Sequence, residues 1–208
     1  MMHRKEKEEV ACFMRRVYER GLTSSSGGNI SLKVEKFGVI LVTPAKKDKG
    51  RLRANDIVEI DLDGNVLSKN SKPTSEISIH TLIYKKRPDL KAIIHCHPTF
   101  STSFACLDCD IITNFTPESR IILGKVSKVK FAVPGTKSLG ETIAESMSDS
   151  DVIVMENHGV LAGGKNLFEA FDKIEVLEEA AKITFITRLM GGGKILDTEA
   201  LVEIDKLR

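Results

Sequence analysis

Short apolar runs, about four to six residues long, alternate along this 208-residue chain with longer segments whose apolar residues recur at helical spacing. Runs rich in β-branched residues predict strands at 30–34, 38–43, 57–61, 91–97, 151–155 and 160–162. The turn signal Asp63-Gly64-Asn65 joins the third run to a shorter one at 66–68 and predicts a hairpin. Helices mixed with many short strands indicate an α/β fold with a largely antiparallel sheet.

Helix signals divide the rest of the chain. An amphipathic helix is predicted over 4–20, and a second opens at Pro73 and ends before Pro88, which places Glu76 in its first turn. Further helices are predicted at 98–106, 117–123 and 138–147, with a short strand near 111–112. The longest helix begins at Asn166 and ends at the glycine triplet 191–193.

Composition limits the class of protein. A hydrophobic content of 41% with 29% charged residues predicts one soluble globular domain, residues 1–208. The formal net charge of +2 argues against a nucleic-acid partner. No membrane partner is expected, because the apolar runs are far shorter than the roughly 18 residues that span a bilayer, and a cytoplasmic location is predicted. The four cysteines are expected to be reduced; Cys106 and Cys109 form surface thiols or a local disulfide rather than a zinc knuckle.

Three of the five histidines occupy places suited to metal ligands. His95 and His97 are two residues apart in a predicted strand, so both imidazoles point to one face. His158 ends another strand and precedes Gly159, which permits a sharp turn or a close approach. Three histidines with an open fourth position are typical of catalytic zinc-type centres. From spacing alone, hydrogen bonds from half-buried strand histidines to the backbone explain the pair equally well.

Glu76 and His80 are four residues apart on one predicted helix face. The pair can bind a metal, or His80 can instead be bonded to a neighbouring group. A carboxylate that leaves a cation regains its basicity next to a substrate, so Glu76 is a candidate for both metal binding and acid/base chemistry.

Small residues and hydroxyls cluster in three segments that are suited to an anion. The segments are Gly27-Gly28-Asn29, Thr43-Pro44-Ala45-Lys46 and Thr74-Ser75. Backbone N–H groups, hydroxyls and a helix N-terminus bind phosphate when the fold brings them together. Each segment taken alone is more often a turn or a cap, and only the combination with a metal site indicates an anion site.

Together these motifs carry a family resemblance over about residues 5–190. They are, in order, 26–31 (SGGNIS), 42–44 (VTP), 72–80 (KPTSEISIH), 87–97 (RPDLKAIIHCH), 134–136 (PGT) and 157–160 (NHGV). The chain resembles class II aldolase/adducin-type proteins, and within them the L-fuculose-phosphate aldolase branch.

The resemblance implies a fold, a metal and an assembly. The expected fold is a three-layer α/β/α sandwich around a mostly antiparallel central sheet, and the expected assembly is a homotetramer with sites between subunits. One zinc ion per subunit is implied at Glu76, His95, His97 and His158, with Glu76 leaving the metal to act as acid/base. Phosphate contacts are implied at Gly28, Asn29, Thr74 and Ser75.

Two departures from the family pattern concern the proposed site. Ala45-Lys46 stands where the aldolases usually have Ser or Thr followed by Gly, so a hydroxyl is lost and Lys46 adds a cation that can contact phosphate. Glu118 stands nearest to the place where the family's aldolases carry a catalytic tyrosine from a neighbouring subunit. Glu118 is either an acid/base group or a carboxylate favoured by the dipole at a helix N-terminus.

The function implied by the resemblance is that of a metal-dependent aldehyde-lyase. A zinc-dependent aldolase of this kind cleaves a short sugar 1-phosphate, L-fuculose 1-phosphate or similar, to dihydroxyacetone phosphate and an aldehyde. One alternative is methylthioribulose-1-phosphate dehydratase, whose pattern the stretch 48–52 approaches. A second alternative is a non-catalytic, adducin-like binding module, against which the intact metal-ligand set argues.

Overall fold

A seven-stranded sheet organises residues 2–68 and 72–207, which the computed structural model describes. The strands, in chain order, are β1 Asn29–Val34, β2 Val39–Val42, β3 Val58–Ile60, β4 Ala92–Cys96, β5 Val126–Val129, β6 Val152–Met155 and β7 Gly159–Gly164. The order across the sheet is β3-β2-β1-β4-β7-β6-β5. Adjacent strands are antiparallel except for the parallel β5–β6 pair, so the sheet is mixed.

Helices cover both faces of the sheet. They are α1 Arg4–Glu19, α2 Ile77–Lys86, α3 Thr99–Ala105, α4 Pro117–Leu123, α5 Lys137–Ser146, α6 Leu167–Leu189 and α7 Thr198–Asp205. Successive strand residues point to opposite faces, and in β4 Ile94 joins the core under α1, α3, α4 and α6 while Ile93 joins the core under α2 and α5. The predicted α/β fold is confirmed, and the mostly antiparallel arrangement is confirmed in part, because β5 and β6 form a parallel pair.

The start of α2 and the segment near 111–112 differ from their predictions. Helix α2 begins at Ile77, so Glu76 precedes the helix instead of lying in its first turn. The reason is that the segment before it is extended: the Thr74 N–H donates to the Thr43 carbonyl at 3.1 Å. The segment 111–112 forms no strand in the described chain, because the Ile112 N–H donates to the Thr184 hydroxyl of α6 at 3.0 Å.

Strand β5 was not predicted. Its sequence Val126-Ser-Lys-Val contains two polar residues, and only Val129 is buried, so its apolar content is below that of the other strands. The hairpin predicted after 57–61 is reduced to one antiparallel bridge between Ile60 and Val66.

Glu178 anchors the chain directly after the histidine-bearing strand. It lies buried in α6 and accepts hydrogen bonds from the backbone N–H groups of Phe100 and Ser101, at 3.0 and 2.8 Å. It also accepts a hydrogen bond from the Ser101 hydroxyl at 2.8 Å. These N–H groups belong to the first turn of α3 and have no partner within that helix. Glu178 therefore fixes α3, and with it the end of β4, on α6.

Lys49 is a buried lysine that joins two loops. Its side chain is 2% exposed and its ammonium donates to the Pro44 carbonyl at 2.8 Å. Its backbone N–H donates to the Ser25 carbonyl, also at 2.8 Å. Burial lowers the pKa of Lys49 to about 8. Lys49 therefore ties the loop before β1 to the loop after β2.

The cysteines are free thiols in the structure, with Cys106 exposed and Cys109 partly buried. The Arg188 guanidinium donates to the Cys109 sulfur at 2.8 Å. Among the described residues, no helix has both the length and the apolar character that crossing a membrane requires.

Replacing Glu178 with alanine should lower the free energy of unfolding by about 2–4 kcal/mol, because the buried Ser101 N–H and the partly buried Phe100 N–H lose their acceptor. Urea denaturation followed by circular dichroism measures this. The matched control is Glu179→Ala, which removes an exposed carboxylate next in sequence and should change stability by less than about 0.5 kcal/mol. Equal effects of the two variants would contradict the role given to Glu178.

The stability of the protein relative to its Lys49→Met variant should rise with pH. An unfolded lysine has a pKa of about 10.4, so between about pH 8 and 10.4 the unfolded state binds more protons than the folded state. The difference should grow by on the order of 3 kcal/mol across that window and be flat below pH 8. Urea denaturation at several pH values tests this. The control is Lys194→Met at an exposed position, for which the stability difference from wild type should not change with pH.

Candidate metal and substrate site

Four side chains from three parts of the fold converge at one end of β4. His95 lies in β4 and His97 directly follows it, His158 lies in the turn between β6 and β7, and Glu76 directly precedes α2. The ligand nitrogens of the three histidines lie within 4.8 Å of one another. The structure thus brings together all four of the residues expected to bind metal.

A hydrogen bond fixes which nitrogen of His95 faces the site. His95 Nδ1 lies 2.8 Å from the Val160 carbonyl oxygen, which only accepts, so Nδ1 carries the proton and Nε2 presents a lone pair. Nε2 lies 3.3 Å from Glu76 Oε2, and Glu76 Oε1 lies 3.4 Å from His158 Nε2. Burial, and then the nearby His97 and His158, lower the pKa of His95 well below its usual value, which favours the neutral imidazole.

These atoms fit a divalent cation. Within residues 2–68 and 72–207, His95 Nε2 and Glu76 Oε1 are buried and have no hydrogen-bond partner. Buried polar atoms are nearly always satisfied. The Glu76 carboxylate and the His95 lone pair are also both electron-rich acceptors, and at 3.3 Å between Oε2 and Nε2 they repel each other. A cation between them removes both problems. Burial and His158 also lower the pKa of His97, which favours the neutral imidazole that binds metal.

The turn that carries His158 depends on two residues. Asn157 has φ 51°, in the left-handed region that asparagine tolerates better than most residues. At Gly159, a Cβ atom would lie 2.6 Å from the Cys96 carbonyl oxygen and 2.6 Å from His97 Cδ2. The absence of a side chain at Gly159 therefore lets His158 approach His97, the close approach expected from the sequence.

Asn29 is bonded on both sides of its amide. Its Nδ2 donates to Glu76 Oε2 at 2.7 Å, and its Oδ1 lies 2.5 Å from His80 Nε2. His80 is fully buried, and burial lowers its pKa to about 3. Of the two alternatives for His80, the structure shows the hydrogen-bonded one. The Asn29 side chain, expected to contact phosphate, is engaged by Glu76 and His80 instead.

The three segments expected to bind an anion lie side by side. The Ala45 N–H donates to the Lys72 carbonyl at 3.1 Å, next to a bridge between Pro44 and Pro73. The Ile30 N–H donates to the Thr43 hydroxyl, also at 3.1 Å. The Thr43 N–H in turn donates to the Ile30 carbonyl at 3.0 Å, so hydrogen bonds make the segments around residues 29, 44 and 74 neighbours.

The individual candidates for phosphate binding differ in accessibility. Ser75 and Lys46 are exposed, whereas Thr74 is buried and its hydroxyl accepts the Glu76 N–H at 3.3 Å. Gly28 has φ 66°, and a Cβ there would lie 2.8 Å from the His95 carbonyl oxygen. Lys46 has φ 55°, so it holds the left-handed conformation that favours the glycine usual at this position.

Glu118 lies apart from the other candidates within one chain. It is exposed in the first turn of α4, which packs against α6 and α7. Leu123 of the same helix belongs to the core on the α6 face, whereas Glu76 precedes α2 on the opposite face. Within one chain, Glu118 and Glu76 therefore lie on opposite faces of the sheet.

The hydrogen-bond partners of Glu76 and His80 were not predicted from the sequence. Asn29 and Ser31 are polar residues on one face of buried β1, and His80 and Tyr84 lie four residues apart on α2. Such a network is indicated when a buried strand has polar residues two positions apart and the helix packed on it has polar residues four positions apart.

Comparison with known proteins gives consistent results. The family model for class II aldolase and adducin N-terminal domains matches residues 8–185. An L-fuculose phosphate aldolase from Methanocaldococcus jannaschii is 41% identical over 185 residues, which cover 89% of this chain and 98% of the relative. A 3-oxo-tetronate 4-phosphate decarboxylase from Haemophilus influenzae is 34% identical over 93% of each chain. A solved L-fuculose 1-phosphate aldolase has a TM-score of 0.88 at 32% identity, covering 96% of this chain and 94% of that one. The protein therefore belongs to the class II aldolase and adducin N-terminal domain family.

Proposed function

We propose that this protein is a zinc-dependent aldolase that cleaves a short sugar 1-phosphate, L-fuculose 1-phosphate or similar, to dihydroxyacetone phosphate and an aldehyde. The observation that carries the proposal is the convergence of Glu76 with His95, His97 and His158 around unsatisfied acceptor atoms. The two aldolase relatives support this substrate class. The proposal treats residues 1–208 as one domain and places the enzyme in the cytoplasm.

The three histidines and Glu76 would hold the metal. When bound, zinc supplies a Lewis acid that polarises a substrate carbonyl. Glu76 Oε2 accepts a hydrogen bond from the Asn29 side-chain amide, whereas Oε1 has no hydrogen-bond partner in the described chain. Oε1 is therefore the oxygen available to take or return a substrate proton, provided that the carboxylate moves away from the metal.

The phosphate group is assigned to the neighbouring loops. Gly28 allows its segment to pass close to the His95 backbone, and Thr74 and Ser75 lie beside Glu76. Lys46 adds a positive charge at an exposed position on the adjoining loop, which compensates for the hydroxyl that Ala45 lacks. In a homotetramer with sites between subunits, Glu118 of a neighbouring copy is the candidate for a further acid/base group.

Dehydration is the second candidate reaction, and the stretch 48–52 suggested it. In the structure, 49–51 form a short 3-10 turn that packs on α1, with Lys49 buried and Gly50 against the Tyr18 ring. Packing is a sufficient reason for this pattern, so it gives no preference for the dehydratase. The decarboxylase relative suggests loss of carbon dioxide as a third candidate reaction.

Replacing Glu76 with glutamine should lower kcat by at least about 100-fold, because the amide cannot take up the substrate proton. A coupled assay for dihydroxyacetone phosphate, with L-fuculose 1-phosphate and related ketose 1-phosphates, measures this. The control is Glu156→Gln, next to the His158 turn, whose carboxylate is paired with Lys130; it should keep kcat within about twofold. Wild-type protein loaded with zinc that releases no dihydroxyacetone phosphate from any of these substrates would refute the aldolase.

Freshly purified protein should contain about one zinc ion per chain by elemental analysis. His95→Gln and His158→Gln should each weaken zinc binding by at least about 10-fold, since each removes one ligand. His3→Gln changes a histidine outside the site and should leave the metal content unchanged. Zinc retained equally by all three variants would contradict the assignment.

A further inference from the structure

A continuous series of hydrogen bonds leads from Glu76 into the layer between β1 and α2. Asn29 bridges Glu76 and His80, with distances of 2.7 and 2.5 Å. His80 Nδ1 lies 2.7 Å from the Ser31 hydroxyl, which lies 2.8 Å from the Tyr84 hydroxyl. Every member of the series is less than 10% exposed, so water does not compete for these bonds.

The direction of each bond follows from the carboxylate. An ionised Glu76 only accepts, so the Asn29 NH₂ group faces it and the Asn29 carbonyl oxygen faces His80. His80 Nε2 must then carry a proton that it donates to this oxygen. A neutral imidazole has one N–H, so Nδ1 accepts the Ser31 hydroxyl proton. The neutral form agrees with the burial of His80, which lowers its pKa.

The Tyr84 end of the series is compatible with this direction. The Tyr84 hydroxyl lies 3.2 Å from the Ser31 carbonyl oxygen and 3.1 Å from the Lys91 carbonyl oxygen. These oxygens only accept, so Tyr84 donates its proton to a carbonyl or to the Ser31 oxygen. In either case the Ser31 proton remains available to His80.

We propose that His80 is a positioning residue for Glu76, which it controls by holding the Asn29 amide in one orientation. With the amide so held, Glu76 Oε2 is occupied and Oε1 is left for the metal and the substrate. If the amide turned over, its carbonyl oxygen would face the carboxylate and repel it. This inference rests on the proposed acid/base role of Glu76 for its kinetic test, but its structural test does not.

The structural test is the protonation pattern of His80 in zinc-loaded, ¹⁵N-labelled protein. Two-bond ¹H–¹⁵N correlation spectra distinguish a proton on Nε2 from one on Nδ1, and the signals that His80→Gln removes identify His80. We expect the Nε2–H form. An Nδ1–H form or a charged ring overturns the proposal, whatever reaction the enzyme performs.

The kinetic test compares His80→Leu with His80→Gln in the dihydroxyacetone phosphate assay. Leucine removes the donor to Asn29 and should lower kcat by about 10–100-fold while KM changes little. Glutamine places an amide N–H₂ near the position of Nε2 and should recover kcat to within about fivefold of wild type. The control is Thr81→Ala, the next residue on α2 and also buried, which should keep kcat within about twofold.

The outcomes separate the two proposals. Equal kcat for the leucine and glutamine variants, or a leucine variant with wild-type kcat, overturns the positioning role even if both retain zinc and the native circular dichroism spectrum. A wild-type enzyme that produces no dihydroxyacetone phosphate refutes the aldolase, and the His80 protonation pattern then decides the positioning role by itself.

Discussion

A carboxylate oxygen and the lone pair of an imidazole nitrogen face each other in the interior of this protein. Glu76 and His95 reach 3.3 Å in a place from which water is largely excluded. Such an arrangement is unfavourable unless a cation completes it, because both groups are acceptors and both lose hydration on burial. A divalent cation bound by Glu76 and the three histidines would offset this cost and would link β4, the β6–β7 turn and the start of α2.

The surroundings of these groups determine how the carboxylate is used. The Val160 carbonyl fixes the His95 ring, and Asn29 fixes one oxygen of Glu76. Mutating partners that orient metal ligands typically lowers metal affinity or activity by about 10–100-fold. Here they leave one carboxylate oxygen without a fixed partner, which is what a group that both binds metal and transfers protons requires.

The sequence predicts much of the candidate site because its signals are local. The spacing of His95 and His97 and the glycine after His158 determine side-chain direction and close approach within a few residues. The contact of Asn29 with Glu76 depends on the pairing of β1 with β4 and on the packing of α2 over both, which residues nearby in sequence do not specify. The same reason explains why the strand predicted near 111–112 does not form in the described chain. The Ile112 N–H donates to the hydroxyl of Thr184, which is distant in sequence.

The central position of β4 affects how the protein responds to partial unfolding. His95 is level with Asn29 of β1 on one side and with Leu161 of β7 on the other, so the strands that carry the site are mutual neighbours. The sheet ends at β3 and β5, far from this group in strand order. Local opening starts where chain contacts are fewest, as at edge strands. Fraying at either edge would therefore leave the pairing of β1, β4 and β7 beside His95 intact.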